Sequence, residues 1–149
     1  MLEDILREGF ARMGISPDPA ALGRFRRYYE LLTQWNAVMN LTAISGQEDT
    51  ARLHFLDCAA LLKLTDFAGR RVVDVGTGAG FPGLVLKILC PETELWLLDS
   101  LDKRVRFLSA VCDELGFPEV RCLHARAEEA PPELRQSFDI ACSRAVALT

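Results

Sequence analysis

A doubly wound parallel α/β sheet preceded by helices is predicted by three observations. Helical periodicity fills the first 66 residues, apolar strand runs and amphipathic helices alternate from Arg70 onward, and the first run breaks into closely spaced glycines. Helices are predicted over Leu2 to Met13, about Ala20 to Met39, and about Glu48 to Leu64. In the second, Leu22, Phe25, Tyr29, Leu32, Trp35 and Met39 recur at three- and four-residue steps as a core-facing stripe. Arg24, Arg26 and Arg27 flank it as ordinary surface charge. The pattern then becomes strand 70–75, helix 82–90, strand 94–98, helix 102–115 and strands 119–123 and 137–142. Val105, Leu108, Val111, Cys112 and Leu115 give helix 102–115 the buried face that a crossover helix needs. A helical segment over 1–66 packed on an α/β cofactor-binding domain over 67–149 is therefore expected.

The glycine loop is Asp74-Val75-Gly76-Thr77-Gly78-Ala79-Gly80-Phe81-Pro82-Gly83. Glycines there let the backbone turn tightly against a ligand across the strand's carboxyl end, so Gly76, Gly78 and Gly80 are candidate cofactor contacts. The run Gly78 to Gly83 matches the dinucleotide fingerprint, and a nicotinamide-dependent oxidoreductase is one alternative. A pyrophosphate wants free amides and a positive helix end. Asp74 instead places a carboxylate ahead of the first glycine, and Pro82 has no N–H where the helix begins. S-adenosylmethionine has no phosphate and carries an ammonium and a sulfonium, which suits the acid better. Asp99 ends the second apolar run, where a carboxylate can accept from both ribose hydroxyls of an adenosine-type ligand. Ser100 and Asp102 stand beside it to cap the next helix.

Half of the 149 residues are hydrophobic, enough for a sizeable core. A formal net charge of −4 means that contact with nucleic acid needs a local basic patch. Neither a leader nor an apolar run long enough to span a bilayer is evident, and a cytoplasmic protein is expected. Cys58, Cys90, Cys112, Cys122 and Cys142 lack metal-ligand or redox spacing and read as buried thiols, so no metal is expected. Cys142, at a strand end, is the one candidate for a catalytic thiolate, a role ranked below burial.

Two further segments fall at the strands' carboxyl edge. Ala127 and Glu128 follow the third strand and Arg144 follows the fourth; in a methyltransferase reading the first two would border the adenine and Arg144 would face the transferring methyl or the target base. Their rival readings are a solvated loop acid and a surface salt bridge. Lys103, Arg104, Arg106 and Arg126, with Arg144, form the candidate RNA-facing set, because planar guanidinium groups suit phosphates and stacked bases. His54 and Asp57, three apart on one helix, read as a structural hydrogen-bonded pair. Asn40-Leu41-Thr42 reads as turn and cap chemistry.

Taken together, Trp35-Asn36, Asn40-Leu41-Thr42, His54-Phe55-Leu56-Asp57, the Asp74–Gly83 loop, Leu98-Asp99-Ser100 with Lys103 to Leu108, and Ser143-Arg144-Ala145 resemble the bacterial small-subunit ribosomal RNA guanine-N7 methyltransferases over nearly the whole chain. The resemblance implies a Rossmann-like class I S-adenosylmethionine-dependent methyltransferase sheet, with the cofactor bound by Gly76, Phe81, Ala127, Glu128 and Arg144. It further implies methylation of a guanine in 16S rRNA or the small ribosomal subunit, by a protein expected to be monomeric when full length. Guanine N7 has an in-plane lone pair and no proton, so orientation suffices and no general base is required. Consistent with that, the chain has neither an Asn/Asp-Pro-Pro-Tyr loop for an exocyclic amine nor a Pro-Cys for cytosine. Members of the family continue further, whereas this chain stops at Thr149, so a partial sheet of order 3-2-1-4 is expected, with the fourth strand at an uncovered edge. A truncated S-adenosylmethionine-binding module without activity remains the other alternative.

Overall fold

The structure, a computed structural model, describes residues 1–126, 128 and 137–144. Helix α1 spans Leu2–Met13 and ends at Gly14, whose left-handed backbone (φ 74°) lets its amide return to Ala11 O. Asp18 then caps α2, Pro19–Met39, by accepting from the Ala20 amide, with Pro19 preset at the first helical position. A third helical rod, α3, covers 47–63. Its middle, Thr50–Leu56, is π-helical, between short α-helical turns Gln47–Asp49 and Asp57–Ala59, and it finishes as a 3₁₀ turn, Ala60–Lys63. Sequence periodicity predicts the rod and misses the widened middle, which carries His54.

The strands are β1 Arg71–Val75, β2 Glu94–Asp99, β3 Arg121–His124 and β4 Ile140–Cys142. They pair in parallel in the order β3-β2-β1-β4, as the sequence predicts. Helix α4, Gly83–Leu89, leads from β1 to β2, and α5, Asp102–Leu115, leads from β2 to β3. Two strands begin later than predicted because the preceding residues are otherwise engaged. Glu119 is drawn to Lys87 (3.3 Å), and Asp139 accepts the Arg71 amide on its side chain (2.8 Å). No helix among the described residues is long and apolar enough to cross a membrane.

One hydrophobic core joins the helical segment to the sheet, running from Leu2, Leu6 and Phe10 through Phe25, Tyr28 and Phe55 to Val72, Leu84, Leu97 and Phe107. Aromatic rings form its spine: Phe10–Phe25 at 5.7 Å, Phe25–Phe55 at 4.9 Å and Tyr28–Phe55 at 5.4 Å between centroids. The stripe predicted on α2 needs one correction. Tyr28 is the fully buried tyrosine, while Tyr29, Trp35 and Met39 are half-buried at the margin. The flanking arginines bind neighbours: Arg24 donates to Leu115 O (2.9 Å), Arg26 pairs with Glu3 and Arg27 with Glu114, so they stitch α2 to α5 and α1. Lys87 is a buried ammonium, satisfied by Pro91 O at 2.6 Å and Thr93 O at 2.7 Å in addition to Glu119.

Candidate cofactor site

The glycine loop lies at the carboxyl edge of β1, held from three sides. From β2, Leu98 O accepts both the Gly76 and Thr77 amides at 2.9 and 3.1 Å. Gly76, Gly78 and Gly80 have φ of 66°, 59° and 102°, values that side-chain-bearing residues rarely adopt. From below, Asp74 is fully buried, and its Oδ2 accepts from Thr77 Oγ1 (2.7 Å) and from the Gly83 amide (2.8 Å). Its Oδ1 has no partner among the described residues. Burial pushes the Asp74 carboxyl up to about 7, against the two hydrogen bonds that favour its charge. From the helical segment, the Tyr28 hydroxyl donates to Ala79 O. Tyr28→Phe should keep the ring packing and lose that bond, lowering stability by about 1 kcal/mol in urea denaturation with an unchanged slope.

Asp99, almost fully buried at the end of β2, ties the loop to the next helix. Its Oδ2 accepts from the Gly78 amide (2.8 Å), its Oδ1 from the Leu101 amide (3.0 Å), and Arg104 stands 3.5 Å away. The expectation that Ser100 and Asp102 cap the helix does not hold; Leu101 is the cap residue, no side chain caps there, and Asp102 pairs with Arg106 at 2.9 Å. A carboxylate two residues before Leu101 reaches forward to its amide, leaving Asp99 both a structural tie and a ligand candidate.

Phe81 is buried at the end of the loop, its ring stacked on the His54 imidazole at 4.1 Å with 9° between planes and lying 5.6 Å from Tyr28. Arg144, beyond β4, sits with its guanidinium carbon 5.7 Å from the same ring. Both terminal nitrogens of Arg144 turn toward α3. Nη1 donates to His54 Nδ1 (2.9 Å) and to Cys58 Sγ (3.5 Å), and Nη2 to Leu53 O and to Asp57 Oδ2 (3.0 Å). The salt bridge foreseen as the rival reading for Arg144 is therefore present. His54 and Asp57, expected as a direct pair, are joined through Arg144 instead, because the guanidinium enters between them.

Burial, with Arg144 beside it, drives the His54 imidazole down to about 4. The predicted turn at Asn40-Leu41-Thr42 is present: Asn40 ends α2 in a left-handed conformation (φ 52°), and Thr42 donates its amide to Asn36 Oδ1 (2.9 Å). Cys142 donates weakly to Val73 O (3.7 Å) and burial pushes its thiol up to about 12, which fits a structural thiol.

Of the other predicted positions, Glu128 is exposed and Ala127 lies outside the described residues. Lys103 and Arg106 are exposed on the first turns of α5, Arg104 faces Asp99, and Arg126 is exposed after β3. The register pairs Asp99 with His124, which brings Arg126 to the same sheet edge. Sequence reasoning missed Tyr28, Thr77 and Thr42 as parts of the site; the loop spacing held a clue to Thr77, three residues beyond Asp74, whereas the other two act across the fold.

A parallel sheet of order β3-β2-β1-β4, with a glycine loop after β1 and an acid closing β2, is a Rossmann-like arrangement, which class I methyltransferases share with dinucleotide-binding enzymes. A solved chain from Plasmodium falciparum, described as a protein-L-isoaspartate O-methyltransferase in complex with S-adenosyl-L-homocysteine, shares this fold with a TM-score of 0.59 at 16% identity, over 95% of this chain and 72% of that one. Residues 21–149 match the family rRNA small subunit methyltransferase G, and the chain belongs to that family. Ribosomal RNA small subunit methyltransferase G of Clostridium perfringens strain 13 is 43% identical over 147 residues, which are 97% of this chain and 62% of the relative. The enzyme of that name from Desulfitobacterium hafniense is 46% identical over 138 residues, 91% of this chain and 57% of the relative. The chain thus spans about three fifths of the length of these relatives.

Proposed function

We propose that this chain carries the cofactor-binding part of an enzyme that transfers a methyl group from S-adenosylmethionine to N7 of a guanine in 16S rRNA, on the cytoplasmic small ribosomal subunit. One observation supports the cofactor above others. Two amides that could cradle a phosphate are already engaged by acids, Gly83 N by Asp74 and Gly78 N by Asp99. A loop with these amides taken by Asp74 beneath it and by Asp99 beside it favours an unphosphorylated nucleoside over a pyrophosphate.

Gly76, Gly78, Gly80 and Phe81 would line the cofactor, Asp74 would brace the loop from beneath through Thr77 Oγ1 and the Gly83 amide, and Asp99 would accept from its ribose. Ala127 and Glu128 would border its adenine. Arg144 would stand at the methyl-transfer end, with Lys103, Arg104, Arg106 and Arg126 toward RNA. The division into a helical segment over 1–66 and a cofactor domain over 67–149, with a monomeric full-length enzyme, is part of the same proposal. S-adenosylmethionine supplies an electrophilic methyl; the protein's part is to hold nucleophile and methyl in line at near-attack distance.

Calorimetry with S-adenosylhomocysteine and NAD tests the cofactor, and methyl transfer to small ribosomal subunits tests the reaction. Binding of S-adenosylhomocysteine and none of NAD is expected, with Asp99→Asn weakening it by about tenfold. NAD binding without S-adenosylhomocysteine binding would return the chain to the oxidoreductases. Binding with no transfer, restored in a chain extended to the relatives' length, would identify this piece as the binding module alone.

A further inference from the structure

His54 lies outside every role assigned above, yet its ring is bonded at both nitrogens and stacked on a loop residue. Nδ1 lies 2.9 Å from Arg144 Nη1, Nε2 lies 2.9 Å from Thr42 Oγ1, and one face covers Phe81. A guanidinium nitrogen has only hydrogens to offer, so Nδ1 must be the acceptor and the proton of the neutral ring sits on Nε2. That proton goes to Thr42 Oγ1, which also accepts the Ile44 amide at 3.1 Å. Thr42 is itself fixed, through its amide, by Asn36 at the end of α2. The chain of bonds runs from Asn36 through Thr42 and His54 to Arg144, and so links the end of α2 to the end of β4 beside the glycine loop.

We propose that His54 is a positioning residue of the cofactor site: held as its Nε2–H tautomer by Thr42, it aims the Arg144 guanidinium and backs the Phe81 ring. This rests on the cofactor assignment made above. Protonated His54 would present a donor to Arg144, and the two cations would separate. Asp57, which also pairs with Arg144, and Cys58, whose thiol burial pushes up to about 12, are the other titratable groups at this contact. Neither is hydrogen-bonded to His54, whose one acceptor contact among the described residues is Thr42. The ring's low pKa, about 4, agrees with a neutral imidazole at physiological pH.

The chain has two histidines, His54 and His124, so two-bond proton–nitrogen spectra resolve both imidazoles. His54 should show an unprotonated Nδ1 and a protonated Nε2 from pH 7 down to about pH 5; an Nδ1–H tautomer would overturn the proposal. Calorimetry with S-adenosylhomocysteine provides the second readout. His54→Phe keeps a ring against Phe81 and loses both bonds, and should raise Kd by about tenfold. Thr42→Val should raise it several-fold without touching the ring, and Thr42→Ser, which keeps the hydroxyl, should restore it. Wild-type affinity should fall below about pH 5, and that acid limb should vanish in His54→Phe. If His54→Phe does not fold, Thr42→Val and Thr42→Ser decide. Variants that bind as tightly as wild type overturn the positioning role alone; a wild-type chain that binds no S-adenosylhomocysteine overturns the cofactor assignment and this inference together.

Discussion

Gly80→Ala should destabilise the protein by about 3 kcal/mol, a fall of roughly 6–12 °C in Tm for a domain of this size, and should abolish cofactor binding. Two costs coincide at this position. The backbone sits at φ 102°, where a Cβ is strained whatever the room around it. The added Cβ would also lie 2.5 Å from the Tyr28 hydroxyl and 2.7 Å from Leu84 Cδ1, and Tyr28 is fully buried among Phe55 and Phe81 and cannot swing away. Because one clash is with a hydroxyl, Tyr28→Phe should partly relieve Gly80→Ala. A double-mutant cycle should show favourable coupling of about 1 kcal/mol or more. Strict additivity, or a loss below about 0.5 kcal/mol for Gly80→Ala, would refute the packing account of this loop.

The second large effect concerns pH, and it is expected to be hidden in the wild-type protein. Asp74 holds its proton up to about pH 7 when folded, against an ordinary value of 3.8, so the native state binds a proton that the unfolded chain has lost. Its contribution is therefore full below pH 3.8 and disappears as pH rises through about 7, a change of up to about 4 kcal/mol. His54 acts in the opposite direction. Folded, it resists protonation down to about pH 4, against 6.5 when unfolded, so stability falls as pH drops through that window, by up to about 3 kcal/mol.

The two slopes oppose each other between about pH 4 and 6.5 and largely cancel. Chemical denaturation across pH should separate them. Asp74→Asn should expose the acid-side loss due to His54, and His54→Phe should expose the loss at rising pH due to Asp74. Parallel curves for all three proteins would show that neither group is shifted as described.

The fold was legible because its signals are local. Alternating apolar runs, the glycine loop after β1 and the acids at positions 74 and 99 mark strand ends wherever they occur, and the strand order followed from family pattern. The site was legible only where a residue acts on its own loop. Asp74 stands beneath the loop and not at its entrance, because Thr77 and Gly83 offer its Oδ2 two donors at 2.7 and 2.8 Å inside the protein. Tyr28 could not be told from Tyr29 on α2, since a helical step of three or four admits both and only the Ala79 carbonyl across the fold selects one. Likewise, nothing near Arg144 in sequence announces that His54 and Asp57, about 90 positions earlier, receive its hydrogen bonds. The π-helical middle of α3, which presents His54 and ends just before Asp57, leaves no mark in the hydrophobic period.

The shared core has a consequence for how the molecule comes apart. Phe55 and Tyr28 from the preface helices lie in the same continuous cluster as Leu84 and Leu97 from the sheet half, so among the described residues one core spans both. Melting the helices strips the glycine loop of its Tyr28 and His54 supports at the same moment, and cofactor affinity and global cooperativity become two faces of a single equilibrium.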